Sequence, residues 1–318
     1  YLLGAFIAGF GVCMLNTVVN PMLNTIGGGG NKGNQLNMVG GSLNSLAGTI
    51  TPMFVGALIG EVSKNTALAD VNPVLFIAMG VFAAAFIILF FIPIANPDNT
   101  DASTVYEHSP WSFRHFVLGT IAIFISVGVE MGIPGTLNFF LSDKVNGAGS
   151  MFENAAAIAG FVTGTYWFMM LIGRLIGSSI SGKVSSKVLL TVVSCAGIAL
   201  ILTAMFLPKE ITTKMPVFTG SSFGIIDVPL FAMLFVLCGL CTSVMWTSIF
   251  NLAVEGLGKY TALASGIFMM MVVGGGVLPL IQNFIADKAG YMVSYIVTVL
   301  GLSYLLFYAL AGHKNVNK

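Results

Sequence analysis

Glu130 is the residue whose placement most demands a chemical reason. It lies in Ser126-Val-Gly-Val-Glu-Met-Gly-Ile-Pro134, well inside a long apolar run. A carboxylate in a membrane-length apolar segment is expensive, so it must face other protein groups or a water-filled cavity. Pro134 has no N–H, so the carbonyl of Glu130 loses its usual helical donor. Gly132 and Gly135 loosen the same turn. A side-chain acid and a freed carbonyl at one broken point suit hydroxyl-rich solutes or cations. The competing reading is a structural carboxylate paired with a neighbouring helix.

Side-chain amides form the second constellation. Asn16 and Asn20 lie four apart, just before Pro21, and Asn37 and Asn44 share a face of the next apolar run. Asn138 follows Glu130 in its own run, Trp246 and Asn251 sit near the end of a later one, and Gln282 and Asn283 lie in the run after that. Amides both donate and accept, which matches sugar hydroxyls. An indole such as Trp246 offers an apolar plate for a ring face. Taken singly, each amide is equally well explained by an interhelical hydrogen bond, worth about 0.6–2 kcal/mol. The proposed binding set is Glu130, Asn138, Asn16, Asn20, Asn44, Trp246, Asn251 and Gln282.

Other chemistries find little support. Cys13, Cys195, Cys238 and Cys241 all lie in apolar runs, and the Cys238/Cys241 spacing has no accompanying His or second pair. They read as small buried hydrophobes, so no metal site is expected. His108, His115 and His313 fall at loops or ends, and neither H-E-x-x-H nor G-x-S-x-G occurs, so the chain does not read as an enzyme. Gly27–Gly30 lacks the G-K-[ST] continuation of a phosphate loop. Gly56/Gly60, Gly160/Gly164 and Gly173/Gly177 are small pairs that let helices approach closely. Arg174, with Lys183 and Lys187, reads as a basic loop sorted by charge.

The elements that must position these residues are membrane helices. Of the 318 residues, 56% are hydrophobic and 8% charged, with mean hydropathy +0.94. Soluble domains carry about 25% charged residues. The expected class is an all-α membrane protein in the lipid bilayer, and a net charge of +1 offers nothing to a nucleic acid. Nine spans are predicted, at 1–26, 34–60, 73–94, 113–141, 155–179, 187–206, 228–255, 262–286 and 291–311. The segment 96–112, with Pro97, Asp98, Asp101, Glu107 and Pro110, reads as a hinge between two bundles. The domain expectation is therefore 1–95, a 96–112 central loop, and a 113–318 six-helix bundle.

Placing that loop in the cytoplasm puts eight of the thirteen Lys and Arg residues on its side, Arg174 among them, and five on the other. This predicts a cytoplasmic C-terminus and an external Tyr1. An internal repeat points the same way. Gly48-Thr-Ile-Thr-Pro52 followed by Glu61, and Gly275-Gly-Val-Leu-Pro279 followed by Asp287, lie six spans apart. Two six-helix halves would leave three N-terminal helices unaccounted for, and the chain opens inside an apolar run without a visible leader.

With these residues set out, a family resemblance follows. Leu15-Asn-Thr-Val-Val-Asn-Pro21 and Leu43-Asn-Ser45 resemble the fourth and fifth helices of the fucose/hexose permease family of the major facilitator superfamily. Gly128-Val-Glu-Met resembles its seventh helix. Tyr166-Trp167, Gly173-Arg174, Ile249-Phe-Asn-Leu-Ala253, Gly256-Leu-Gly258, Gly274-Gly-Gly276, Pro279 and Ala286-Asp287 resemble later ones. The resemblance implies the major facilitator fold, with nine of twelve helices present. It implies a bacterial inner-membrane symporter of a monosaccharide (fucose, glucose or galactose), expected to be monomeric. The alternatives are an exporter of another small solute and a non-transporting sensor or fragment. Fucose-transporting members carry a protonatable Glu where this chain has Asn16, and a Gln where it has Gly41. No cofactor is implied beyond a co-transported ion, either sodium or a proton carried by Glu130.

Overall fold

The computed structural model describes residues 2–28, 30–59, 68–93, 107–218 and 222–314. Most of the hinge segment and Glu61 of the internal repeat lie outside the described residues. The first three helices are α1 (Leu2–Ile26), α2 (Gly30–Ile59) and α3 (Leu68–Phe91). A turn at Pro110–Ser112, capped by the Ser109 hydroxyl, leads into α4 (Arg114–Ser142). Then come α5 (Ala155–Ser181) and α6 (Ser186–Phe206). The remaining spans are built from pairs of shorter helices. These are α7 (Leu230–Thr242) with α8 (Met245–Val254), α9 (Thr261–Met271) with α10 (Gly274–Ala289), and α11 (Tyr291–Ser294) with α12 (Ile296–Phe307).

Among the described residues, eight segments are long and apolar enough to cross a membrane, with mean hydropathy from 1.6 to 2.9. Their limits follow the apolar runs, because inside a bilayer only helices satisfy the backbone locally. Two departures are informative. The two late spans break near their middles, at Ser243-Val244 and at Val272-Val273, where a single helix would be read from hydropathy. Between α6 and α7 stands an antiparallel hairpin, β1 (Thr212–Phe218) and β2 (Phe223–Pro229), an addition to the otherwise helical expectation. Its strands alternate, with Met215, Val217 and Val228 buried and their neighbours Lys214, Pro216 and Asp227 turned outward or to the rim.

The core lies within α4–α12. Phe116, Ile123, Ile133, Leu137, Tyr166, Phe235, Phe250, Phe268 and Tyr295 are all fully buried there. Phe235 stacks on Tyr295 at 3.9 Å between ring centroids. By contrast, α1 and α3 expose their large apolar side chains almost throughout, Phe6, Phe10, Phe82 and Phe86 among them. Elements α1–α3 meet the rest mainly through α2, which runs along α5 and touches α8, while α1 meets α9.

The two ends of the molecule are named here by what they carry. The linker end holds the 107–113 turn, the start of α2 and the α5–α6 junction. The hairpin end holds β1, β2 and the 143–154 loop.

Candidate functional site

The site is built on one face of α2. Asn34, Asn37, Met38, Gly41 and Ser45 recur at helical spacing, and the face they form is buried or half-buried against α5 and α8. At the linker end, Asn34 Nδ2 donates to Ser186 Oγ at 3.1 Å, and Asn251 Nδ2 donates to the same oxygen at 2.9 Å. One turn deeper, Met38 packs with Leu189 and Val244. Gly177 admits Met38 and Val244, and a Cβ on Gly182 would lie 2.8 Å from Gln35 Oε1. Gly173 lets the α7–α8 break approach, since a Cβ there would overlap Ser243 Oγ.

This seam is not fully satisfied. Both amide atoms of Asn37, Oδ1 of Asn34, and the hydroxyls of Ser181 and Ser248 are buried without a hydrogen-bond partner among the described residues. Each such group opposes closure by its desolvation.

Deeper still, Arg174 crosses the seam. Its Nη1 donates to the Gly41 carbonyl at 2.6 Å and to Ser45 Oγ at 2.8 Å, both on α2. Its Nη2 lies 3.9 Å from Glu130 Oε1 on α4. The expectation that Arg174 belongs to a basic loop is corrected. It sits within α5, its side chain is 13% exposed, and its charge is matched inside the protein. Charge sorting then rests on seven residues against five. A guanidinium cannot be neutralised by proton loss, so once out of water it needs an anion. Its sequence signal was the same as that of Glu130: an ionic residue inside an apolar run, here flanked by Gly173 and Gly177.

Glu130 is therefore paired with a neighbouring helix, as the structural reading requires. The pairing still leaves capacity. At 3.9 Å the contact is ionic rather than a hydrogen bond, and no described residue donates one to the carboxylate. A carboxylate can take about four such bonds.

The other expected site residues scatter. Asn251 is committed to Ser186 in the seam and does not stand beside Trp246 as a ligand group. Trp246 is half-buried and stacks face to face on Phe250 at 5.4 Å, so one ring face is already covered. Gln282 is buried against Gly132, two residues along α4 from Glu130 and so on the far side of that helix. Its Oε1 accepts from Thr298 Oγ1 at 3.3 Å, and its Nε2 has no hydrogen-bond partner among the described residues. Asn138 donates to Thr163 Oγ1 at 3.0 Å. Asn20 is half-buried and donates to the Asn16 carbonyl at 3.0 Å, while the side chain of Asn16 is exposed on α1. Asn44 is exposed, between Gly41 and Ser45 in sequence but off the face that meets Arg174. Trp167, which the amide and aromatic reading passed over, lies on the same α5 face as Arg174, two turns toward the hairpin end, and is half-buried. A surface pocket of about 270 Å³, lined by Phe140, Asn146, Lys209 and Tyr291 among others, contains none of the expected site residues.

The fold is one with known company. The crystal structure of FucP, a major facilitator superfamily transporter in the outward conformation, matches at a TM-score of 0.75 and 19% identity, covering 97% of this chain and 75% of that one. The architecture is thus that of the major facilitator superfamily, a multi-pass membrane fold. No family model matches the sequence. The glucose/galactose transporter of Brucella abortus (strain 9-941) is 30% identical over 321 residues, covering 98% of this chain and 72% of its own length. A putative glucose/galactose transporter of Helicobacter pylori (strain J99) is 28% identical over 330 residues, covering 99% and 74%. The L-fucose-proton symporter of Escherichia coli (strain K12) is 23% identical over 316 residues, covering 91% and 66%. The chain belongs to the family of these glucose/galactose transporters.

Proposed function

We propose that this protein is a secondary active transporter that moves a monosaccharide of the glucose, galactose or fucose type across the bacterial cytoplasmic membrane, coupled to a cation and working by alternating access. The observation that carries this reading is the Glu130 carboxylate. It is held inside a span, neutralised by Arg174 at 3.9 Å, and left with its hydrogen-bonding capacity unused. Sugar hydroxyls are the donors it lacks, and Trp167 lies on the α5 face that carries Arg174. The named relatives support the substrate class.

The reading divides the chain into an N-terminal bundle before the 96–112 loop and a C-terminal bundle after it, with substrate held between them. It puts the linker end and the C-terminus in the cytoplasm. The α2–α5–α8 seam then closes the cytoplasmic side, the arrangement of an outward-facing state. With Asn16 unable to titrate, Glu130 is the intramembrane acid left to carry a proton or bind sodium.

Counterflow of labelled glucose, galactose and fucose in proteoliposomes tests this. At least one should be exchanged. Glu130→Gln should lower affinity or exchange about ten- to a hundredfold, the effect of about 1.5–3 kcal/mol in a charge-assisted hydrogen bond. Glu107→Gln, in the exposed turn before α4, should do little. Equal small effects of the two substitutions would leave Glu130 a structural carboxylate, and no exchange of any of the three sugars would overturn the substrate class.

A further inference from the structure

We propose that Arg174 is a latch through which loading of Glu130 opens the linker end. The proposal rests on the transport reading for its purpose, but its geometry stands without a sugar.

Arg174 has two sets of partners on opposite sides of the seam. Toward α2 it makes two hydrogen bonds, to Gly41 and Ser45, and these tie α2 to α5. Toward α4 its charge is met by Glu130. The elements around the pair supply no substitute. α7, α8, α9 and α12 pack on α4 and contain no Asp, Glu, Lys, Arg or His. α10 has Asp287 and Lys288, both in its last turn. On α5, Tyr166 is the further titratable group near the carboxylate, and its hydroxyl is tied to Thr242 at 2.7 Å. On α2, the partners of Arg174 are a backbone carbonyl and a hydroxyl, both uncharged.

When a proton or sodium ion occupies Glu130, the guanidinium keeps its full charge and loses its counter-charge. A buried cation without an anion is strongly disfavoured. The relief available is for Arg174 to leave α2 and reach water, which undoes the deepest polar tie across the seam. The remaining ties are poised to follow, because Asn37, Ser181 and Ser248 regain hydrogen bonds when water enters. The 3.9 Å gap suits this role, since the pair holds by charge alone and its strength follows the charge state of Glu130.

The test reads the seam directly. Exposed Lys32, at the start of α2, and exposed Lys183, between α5 and α6, are replaced by spin-labelled cysteines on a background lacking the native Cys13 and Cys195. Distances are measured by pulsed dipolar spectroscopy in lipid nanodiscs at one neutral pH with no sugar present. Glu130→Gln should shift the closed-to-open ratio about tenfold or more toward open, as expected when one partner of a buried pair is removed. Arg174→Gln should also shift it toward open, and the double variant should open no further than Glu130→Gln alone, which is the signature of coupled residues. Arg174→Lys, which keeps the charge, should respond to Glu130→Gln in the same direction. The proposal is overturned if Glu130→Gln leaves the distance unchanged while Arg174→Gln lengthens it, or if the two effects simply add. Because no sugar is present, failure of the sugar assignment cannot produce either result.

Discussion

Two glycine pairs on α5 have identical spacing and opposite surroundings. Gly173 and Gly177 are crowded. The first meets Ser243 and the carbonyl of Leu240, and the second meets Val244 and Met38. Gly160 and Gly164, nearer the hairpin end of the same helix, have nothing within 4 Å of where a Cβ would stand. A small-residue pair therefore marks where a helix can be approached, and not where it is approached in a given state. The crowded pair lies where α2 and the α7–α8 break close on α5, and the open pair lies where the helices part.

The largest effect that would sharpen this contrast comes from bulk. Gly173→Leu should destabilise the protein at or above the ~3 kcal/mol upper range typical of overpacked cores, with loss of folded yield. Gly164→Leu should leave thermal unfolding in detergent unchanged or slightly improved. Matching losses in the two would break the comparison, because the open pair would then be packed after all.

A smaller effect separates the seam's polar ties. Ser186→Ala removes the acceptor for both Asn34 and Asn251 and should lower stability by about 1–3 kcal/mol, since two buried amides lose a partner. Asn251→Ala removes one tie and should cost less. Equal losses would show that only one of the two hydrogen bonds contributes.

The smallest effect concerns the hairpin end, at the exposed turn after α4. Backbone N–H groups of Val145 and Asn146 donate to Asp143 Oδ1 and hold its carboxyl below the ordinary value. A depressed acid stabilises the turn above its unfolded pKa, about 4, and that contribution disappears as pH falls through the folded value. Hydrogen-exchange protection of these two amides should therefore fall on acidification below about pH 4, while protection of Leu189 in the seam stays constant. Unchanged protection at Val145 and Asn146 would mean the turn is held by other contacts.

Much of the architecture was legible because a bilayer leaves few options. Apolar runs of sufficient length become helices, and their limits follow composition. The same simplicity hid what composition does not encode. The breaks at Ser243-Val244 and Val272-Val273 keep full hydropathy on both sides, so a window over the sequence reads each as one span. The β1–β2 hairpin does show strand alternation around Met215 and Val217, but a reading tuned to long apolar runs treats 212–227 as a connector and starts a helix at 228. In the site, Glu130 was legible because its burial is costly on any model of the fold. Arg174 meets the same criterion, but assigning Lys and Arg to loops by charge sorting hides it. That Asn251 is tied to Ser186 was not legible for a different reason. An amide's partner lies on another helix, and sequence spacing says nothing about which sugar hydroxyl or serine it will meet.

The seam also sets a schedule for synthesis. Asn34 waits for Ser186, 152 residues further on, and Gly41 waits for Arg174, 133 residues further on. At translation rates of about 5–20 residues per second, the polar face of α2 stands in the lipid without its partners for roughly 7–30 s. During that interval Asn34, Asn37 and Ser45 have only one another, water at the headgroups, or the insertion machinery to satisfy them. The face that later closes on α5 and α8 thus spends that interval without its partners, and nascent α2 is a segment a membrane chaperone would be needed to hold.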